Sequence, residues 1–590
     1  MLQGIERFSR RFDLIIYQKS KYFSAEQAQD NLTGLSPLLV RALRARGAVT
    51  PEQIERFLHP SAEDFHDPFL LPDMDKAVQR IHAALENGER ICIFGDYDVD
   101  GICSTAMLVD YFHSVGADVG YHIPSRREEG YGMSRGAIDK LHSCGVNLII
   151  TVDNGISAAD EISYCSELGI DVIVTDHHIP PETVPKCTAV VCHTVSNSQY
   201  PNSILCGAGI AFKLLHALAG LEAAMQYVSL AGLASVADVV PLLDENRVFV
   251  KLGLDAINSG NCCNGLYRLL NGVPTARRPY NACTLGFAVA PRLNASGRMS
   301  DASLGVELFL CRDPNRADEI IARLNKLNEL RQQDEANILN DAIRRLEPCD
   351  LSDTRAIVLR SETWNAGVIG IAASRIAEMY HRPTILFSES DGILKGSARS
   401  IDGVNIHEVL CCCREFFVRF GGHAKAAGIT MESAFFEDFR FKLNACLKAG
   451  YDDSVFIPCK RYEFDIPLEQ VTRELIAELT RLAPFGESNP SPVFRSRHVA
   501  VSRLRRFGSD AQHTKMDVSP SISSSAPPLD AVWFASAASY YRLLNADTVD
   551  ILYTPGINNW NGFDSIQLRV VSAKAEQPRD IDAYIEKGMR

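Results

Sequence analysis

The chain has 590 residues, 46% of them hydrophobic, and a net charge of −13, which gives room for roughly three to five domains with sizeable cores. The acidic balance excludes a wholly basic protein that coats nucleic acid, while local basic grooves stay open. No stretch approaches the ~20 apolar residues of a membrane span, and Met1 to Tyr22 is Arg-rich with no apolar run, so no signal peptide is expected.

In chain order, residues 1–75 read as a helical lead-in. Ser36-Pro37 and Thr50-Pro51-Glu52-Gln53 each place a capping side chain before a first-turn proline. A helix over 76–88 leads into Ile91-Cys-Ile-Phe-Gly-Asp96-Tyr-Asp98-Val-Asp100-Gly101. This reads as a buried strand, a tight turn and an amphipathic helix from Ile102 to Phe112. A strand ending at His122-Ile123 runs into a charged, glycine-rich loop, Pro124 to Gly132. Leu148–Asp153 and Ile170–Asp176 are two more apolar runs that end on an aspartate, separated by helical stretches. Alternation of this kind predicts a doubly wound parallel sheet. Asp238 follows a further apolar helix, Val228–Val236.

From Pro314 to Pro348 no Gly or Pro interrupts a helical pattern, so a long bridging helix is expected. A second α/β unit begins at Ala356 and ends near Phe420–Gly428. Cys411-Cys412-Cys413 within it reads as a buried helix turn, and the 17 cysteines form no Cys-x-x-Cys zinc pair. Reduced thiols in a cytoplasmic protein are expected. Beyond about 455, short alternating segments suggest a β-barrel, with Ser519–Pro528 as a mobile loop between two of its strands. The fold class is therefore α/β. The expected domains are a lead-in (1–75), a parallel-sheet catalytic domain (76–258), a connecting segment with the bridging helix (259–350), a second α/β domain (351–452) and an OB-like barrel (453–590).

An isolated acidic turn is solvated. Here Asp96, Asp98, Asp100, Asp153 and Asp238, with His177, all fall at comparable strand or helix ends. In open α/β sheets that edge is where ligands sit. Carboxylates so crowded repel unless protons or cations intervene. Oxygen donors with one imidazole suit Mn²⁺ or Mg²⁺ better than zinc or copper. Six such groups exceed the needs of one ion, and two ions sharing a carboxylate would use them all. Phosphoester hydrolysis is the natural reaction. His178, beside His177, is suited to hydrogen-bond a phosphate oxygen or hold a water. Arg292, Asn294 and Arg298 form a polar cluster suited to a phosphate. Arg399 adds a further contact, and Arg503, Arg505 and Arg506 fit a nucleic-acid face of the barrel. Tyr131 and Trp364 are candidates either for base stacking or for core.

Asp176-His177-His178 matches the signature triplet of the DHH phosphoesterase superfamily. Gly95–Gly101, Val152–Gly155 and Ser235–Pro241 resemble its other metal motifs, in order. Within it the chain resembles the RecJ family of single-strand-specific DNA exonucleases. The resemblance rests on Pro124–Gly132, Ala290–Arg298, Gly421–Gly428 and Leu482–Pro490 as well. It implies a DHH domain, a DHH-associated domain and an OB-like barrel. It also implies 5′→3′ digestion of single-stranded DNA to mononucleotides in recombination and repair, with two Mn²⁺ or Mg²⁺ ions. Asp98 and Asp153 would serve one ion; Asp100, Asp153, His177 and Asp238 the other, with Asp153 bridging. Other superfamily members carry a histidine where this chain has Phe94, so Asp96 or water would complete that shell. Gly421, Gly422 and His423 resemble the substrate-binding glycine loop of the DHH-associated domain. A monomer is expected, with a RecQ-type helicase and a single-strand-binding protein as partners.

Two places depart from the pattern. Trp364-Asn365 stands where the family has Trp-His, and Cys192-His193-Thr194 where it has Asn-Pro, which implies a rearranged loop. Two rival functions remain open: a phosphodiesterase for short oligonucleotides or cyclic dinucleotides in the same superfamily, and a DNA-binding scaffold without catalysis.

Overall fold

The computed structural model describes residues 15–20 and 34–575, apart from 126–131, 275, 509–510, 537–539, 541–542, 545, 547 and 561. Most of the Pro124–Gly132 loop, including Tyr131, lies outside the described residues. The chain forms two compact units: residues 50–333 with 482–490, and residues 1–49 with 334–481 and 491–590.

The lead-in is not wholly helical. Ile16–Lys19 is a strand (β1). The two predicted helices follow: α1, Pro37–Ala45, capped by Ser36, and α2, Pro51–Leu58, with a complete Thr50/Gln53 capping box. Helix α3, Met74–Glu86, precedes the central sheet.

That sheet has five parallel strands: β2 (Ile91–Phe94), β3 (Val119–His122), β4 (Leu148–Val152), β5 (Asp171–Thr175) and β6 (Ala189–Val191). Their order is β3-β2-β4-β5-β6. The order reverses between β2 and β4, which is where doubly wound sheets open a crevice at the strand C-termini. Register brings those ends level: Phe94 pairs with Thr151, and Val152 with Thr175. Every residue of β2 and β4 is buried, as expected when helices cover both faces.

The helix after β2 (α4, Val99–Ser114) differs from expectation in two ways. It starts three residues early, because the Asp98 carboxylate caps it by accepting from the N–H groups of Asp100 (2.9 Å) and Gly101 (3.2 Å). It is also buried nearly all round rather than amphipathic. Helices α5 (Arg135–Ser143) and α6 (Ala159–Glu167) connect the strands. Helices α7 (Gly207–Ala219), α8 (Val228–Ala237) and α9 (Asp244–Ser259) complete the core around Phe65, Phe212 and Phe249.

Three charged side chains, Lys213, Glu245 and Arg247, lie inside this apolar mass. Lys213 on α7 donates to Glu245 on α9 at 2.8 Å, and both side chains have 0% exposure. Glu245 also accepts from Tyr200 Oη (2.7 Å) and the His66 N–H (3.0 Å). Arg247 lies over the Phe57 ring at 3.8 Å and donates to the carbonyls of Phe57 (2.7 Å), Leu482 (3.0 Å) and Ala483 (2.7 Å).

Helix α10 (Ala290–Met299) follows a π-helical turn at Leu285–Val289. Then comes the expected long helix α11, Pro314–Leu346, 33 residues, or about 50 Å at 1.5 Å per residue. Ile320, Leu324, Ile338 and Leu346 are buried along it. One unit gives way to the other at its residues 333–334.

The second sheet is mixed. It contains β7 (Ile357–Ser361), β8 (Thr384–Ser390), β9 (Ile393–Arg399), β10 (Phe417–Gly422) and β11 (Ala426–Glu432), ordered β10-β11-β9-β8-β7. Helices α12 (Ile369–Tyr380), α13 (Ile406–Cys411) and α14 (Phe436–Gly450) accompany it. The glycine segment read as a loop is therefore a hairpin: Gly421 and Gly422 end β10, and the turn is His423–Lys425. Nor is the triple-cysteine run a buried turn, since Cys411 and Cys412 are exposed and only Cys413 is buried.

Strand β12 (Cys459–Tyr462) pairs in parallel with β1, which is what draws the lead-in into an extended form. Beyond β13 (Phe464–Asp465) come β14 (Phe494–Phe507), β15 (His513–Ser519), β16 (Leu529–Trp533), β17 (Thr548–Trp560) and β18 (Phe563–Ala575). The pairings β14–β15, β15–β16, β16–β18, β18–β17 and β17–β14 close a five-stranded barrel. Three of its strands run 13 or 14 residues, longer than the short segments expected. They bend at register shifts, as closure of a small barrel requires. Among the described residues no helix is long and apolar enough to cross a membrane.

Candidate metal centre

The level ends of β2, β4 and β5 deliver the acidic residues to one place. Asp96, Asp98 and Asp153 each offer an oxygen within 4.8 Å of the others. Asp100, His177 and Asp238 form a second such group, and Asp153 also groups with His177 and His178. His177 Nε2 lies 3.1 Å from Asp153, 3.8 Å from Asp100 and 3.9 Å from Asp238. Asp153 thus belongs to both sides of the cluster.

Backbone geometry aims two of these carboxylates. Asp153 has φ 62°, a left-handed conformation that Asp tolerates better than most residues. Asp238 ends α8, and Val239 after it has φ 59°, which is strained for a β-branched side chain. Asp100 is held by the start of α7, where the N–H groups of Gly207 (2.6 Å) and Ala208 (2.7 Å) each donate to one of its oxygens. Asn294 on α10 accepts from the Val99 N–H at 3.1 Å. A Cβ at Gly297 would lie 2.5 Å from Tyr97 O, so α10 presses directly on the acidic loop.

Electrostatics follow from burial. Asp153 is pushed far up, first by burial and then by the Asp100, Asp98, Asp96 and Asp238 charges. Burial also raises Asp100. Burial, with Asp100 and Asp98, raises Asp238 to about 8. Burial lowers His177, which favours the neutral imidazole a metal needs. His178 goes the other way. Burial acts to lower it, but its 2.7 Å hydrogen bond to Asp176 raises it to about 9. Asp176 accepts from the N–H groups of Ile156, His177 and His178 too, so it braces the triplet rather than joining the cluster. Buried carboxylates that would otherwise hold protons, grouped in threes around one neutral imidazole, fit hard divalent cations.

The other sequence candidates divide. Arg292 is committed to Asn325 Oδ1 (2.7 Å) and Ala288 O, and Asn294 to Val99, so both brace helices near the cluster. Arg298 lies on the same helix. In the other unit, Arg399 on β9 pairs with Ala426 at the hairpin tip, beside Gly422 and exposed His423. Gly422 has φ 150°, and a Cβ there would lie 2.4 Å from Ala426 O. Trp364 is 4% exposed and donates to Asp341 at 3.1 Å, so it is core. Asn365 donates to Asp334 (3.0 Å). Arg503 pairs with Asp517. In the departing loop, Thr194 Oγ1 donates to the His178 carbonyl at 2.8 Å, so that loop supports the triplet.

Sequence reasoning missed the Gly207 and Ala208 amides, whose one signal is the glycine at the start of α7. A Cβ at Gly207 would stand 2.7 Å from Asp153 Cβ. Overpacking of this kind costs about 1–3 kcal/mol. Gly207→Ala is expected to lower phosphoester hydrolysis at this site by about 10²-fold and to weaken Mn²⁺ binding, read by calorimetry, with circular dichroism unchanged.

Three family models match in chain order: the DHH family N-terminal domain over residues 90–237, the DHHA1 domain over 353–449 and the RecJ OB domain over 462–572. The single-stranded-DNA-specific exonuclease RecJ of Bacillus subtilis is 37% identical, over 92% of this chain and 68% of its own length. That of Escherichia coli is 33% identical, over 92% and 96%. The crystal structure of RecJ from Thermus thermophilus with Mn²⁺ matches with a TM-score of 0.78 at 30% identity, covering 92% of this chain and 77% of that one, and the same protein has been crystallised with Mg²⁺. Since the sequence match spans nearly all of the E. coli protein and the domain models fall in the same order as the sheet, hairpin and barrel above, the chain belongs to the RecJ family.

Proposed function

We infer that the chain is a metal-dependent exonuclease of single-stranded DNA, and that Asp153, a carboxylate that groups both with Asp96 and Asp98 and with His177 and His178, is the residue its chemistry turns on. Asp96, Asp98 and Asp153 would hold one Mn²⁺ or Mg²⁺, and Asp100, Asp153, His177 and Asp238 the second. When bound, such a pair lowers the cost of making hydroxide from water and steadies charge on the phosphoryl oxygens. The chain's own part is to hold the donors in place. Asp98 caps α4, the α7 amides fix Asp100, and burial keeps His177 neutral. His178, kept protonated by Asp176, donates from its ring to a phosphate oxygen. Arg298, Arg399, Gly421, Gly422 and His423 are the proposed phosphate contacts, through guanidinium and backbone N–H donors.

The barrel favours this reading over a dinucleotide phosphodiesterase, because a substrate of two nucleotides has no use for an added oligonucleotide-binding domain. The proposed setting is the cytoplasm, in recombination and repair, as a monomer working beside a RecQ-type helicase and a single-strand-binding protein. The test uses a long single strand labelled at either end. Mononucleotide release is expected from the 5′ label first, with Mn²⁺ or Mg²⁺ and not with chelator. Release from the 3′ end first would reverse the polarity, and faster cleavage of a free dinucleotide than of the long strand would favour the rival enzyme.

A further inference from the structure

Exposed apolar side chains scattered singly over a surface need no cause. Three of them here are not scattered. Ile179 directly follows His178 and is 69% exposed, and Val239 directly follows Asp238 and is 62% exposed. Phe287 is 83% exposed and sits in the π-helical turn Leu285–Val289. Leu285 and Val289 on either side of it are buried, so Phe287 is on the outer side of that turn. Its neighbour Gly286 seats the turn on the end of α8: a Cβ at Gly286 would lie 3.2 Å from Val236 Cγ1, two residues before Asp238. The turn runs on into α10, which carries Asn294 and Gly297 against the acidic loop. All three apolar residues therefore flank the acidic cluster, and all belong to the same compact unit.

Two of them are held there by irregular backbone. In the π turn the Ala290 N–H reaches back to the Leu285 carbonyl, and such turns gather at functional sites. Val239 has φ 59°, where glycine is relaxed and a β-branched residue is strained. The fold gains little from a side chain so exposed, so contact with something outside the chain is what offsets the strain. A charged, metal-fitting centre edged by apolar side chains suits a ligand with an anionic group beside a flat apolar one. A nucleotide, with its phosphate and its base, is such a ligand.

We propose that Ile179, Val239 and Phe287 form an apolar rim that takes the nucleobase next to the reacting phosphate, with Phe287 stacked on its face. The inference rests on the exonuclease reading above and adds a source of selectivity to it. Taking a base out of a duplex costs unstacking and unpairing, so the rim favours a strand whose end is unpaired.

The test compares hydrolysis, with Mn²⁺, of a single strand of ordinary nucleotides and of the same strand with an abasic residue at each end. Phe287→Ala is expected to lower kcat/KM on the ordinary strand by about 10-fold, within the range of one base–aromatic stack, chiefly through KM. On the abasic-ended strand Phe287→Ala and wild type should run at the same rate, and Phe287→Tyr should match wild type on both strands. Val239→Gly should lose rate on the ordinary strand alone, with a melting temperature no lower than that of wild type. An equal loss in Phe287→Ala on both strands would make Phe287 a part of the fold only, and no loss on either would leave the rim without a role. Each of these overturns the proposal while the exonuclease reading stands. Wild-type protein that cuts neither strand overturns that reading and the rim with it.

Discussion

Asp153→Asn is expected to slow nucleotide release from single-stranded DNA by about 10³-fold or more, the equivalent of about 4 kcal/mol in the barrier. Asparagine is the informative replacement because it accepts the left-handed φ of 62°, whereas alanine would add strain to the loss of charge. The variant keeps its shape and loses the carboxylate that groups both with Asp96 and Asp98 and with His177 and His178. Mn²⁺ titration should show reduced stoichiometry, and binding of the strand should change little. A second readout separates loss of chemistry from damage. Burial and four neighbouring carboxylates oppose the ionised form of Asp153, so the neutral amide relieves repulsion in metal-free protein. The metal-free melting temperature should therefore rise, as replacing a functional charge often does. A variant that keeps a tenth of the wild-type rate would remove Asp153 from the centre of the mechanism.

Lys213→Met is expected to destabilise the unit of residues 50–333 by about 3–5 kcal/mol, because it strands Glu245 as a buried, unpaired charge. On a unit of that size the loss lowers the melting temperature by on the order of 10 °C. Lys251→Met is the control, since its ion pair with Asp255 lies on the surface and is worth under about 1 kcal/mol. Thermal unfolding followed by circular dichroism measures both. Similar losses in the two variants would mean that Glu245 is adequately held by Tyr200, Asn202 and the His66 N–H. Activity should suffer too, because Lys213 anchors the helix whose first amides grip Asp100.

The sequence made the acidic strand ends legible because a parallel strand buried on both faces is a continuous apolar run, and the residue after it must lie at the sheet's edge. Asp96, Asp153 and His177 follow from that rule. The grip on Asp100 could not be read, because it comes from backbone amides 107 and 108 positions away, and amides carry no side-chain signature. Asn294 looked like a phosphate contact because nothing local showed that its carbonyl is taken by Val99. The true start of α4 was hidden because Asp98 serves as both cap and candidate ligand. The lead-in strand was missed for another reason. Ile16–Lys19 is extended only because β12, more than 400 residues later, offers it an edge. The triple-cysteine run was misread because three adjacent positions on a helix end cannot all face inward.

Arg247 sets a limit on how this protein can be cut. Its guanidinium gathers carbonyls from Phe57 near one end of its unit and from Leu482 and Ala483 in a nine-residue return, 482–490, that lies between two segments of the other unit. A shortened chain stopped before residue 482 would leave that cation facing missing acceptors in a dry interior, and one that runs through 490 would not. Trimming the barrel for a minimal nuclease should therefore keep this short return.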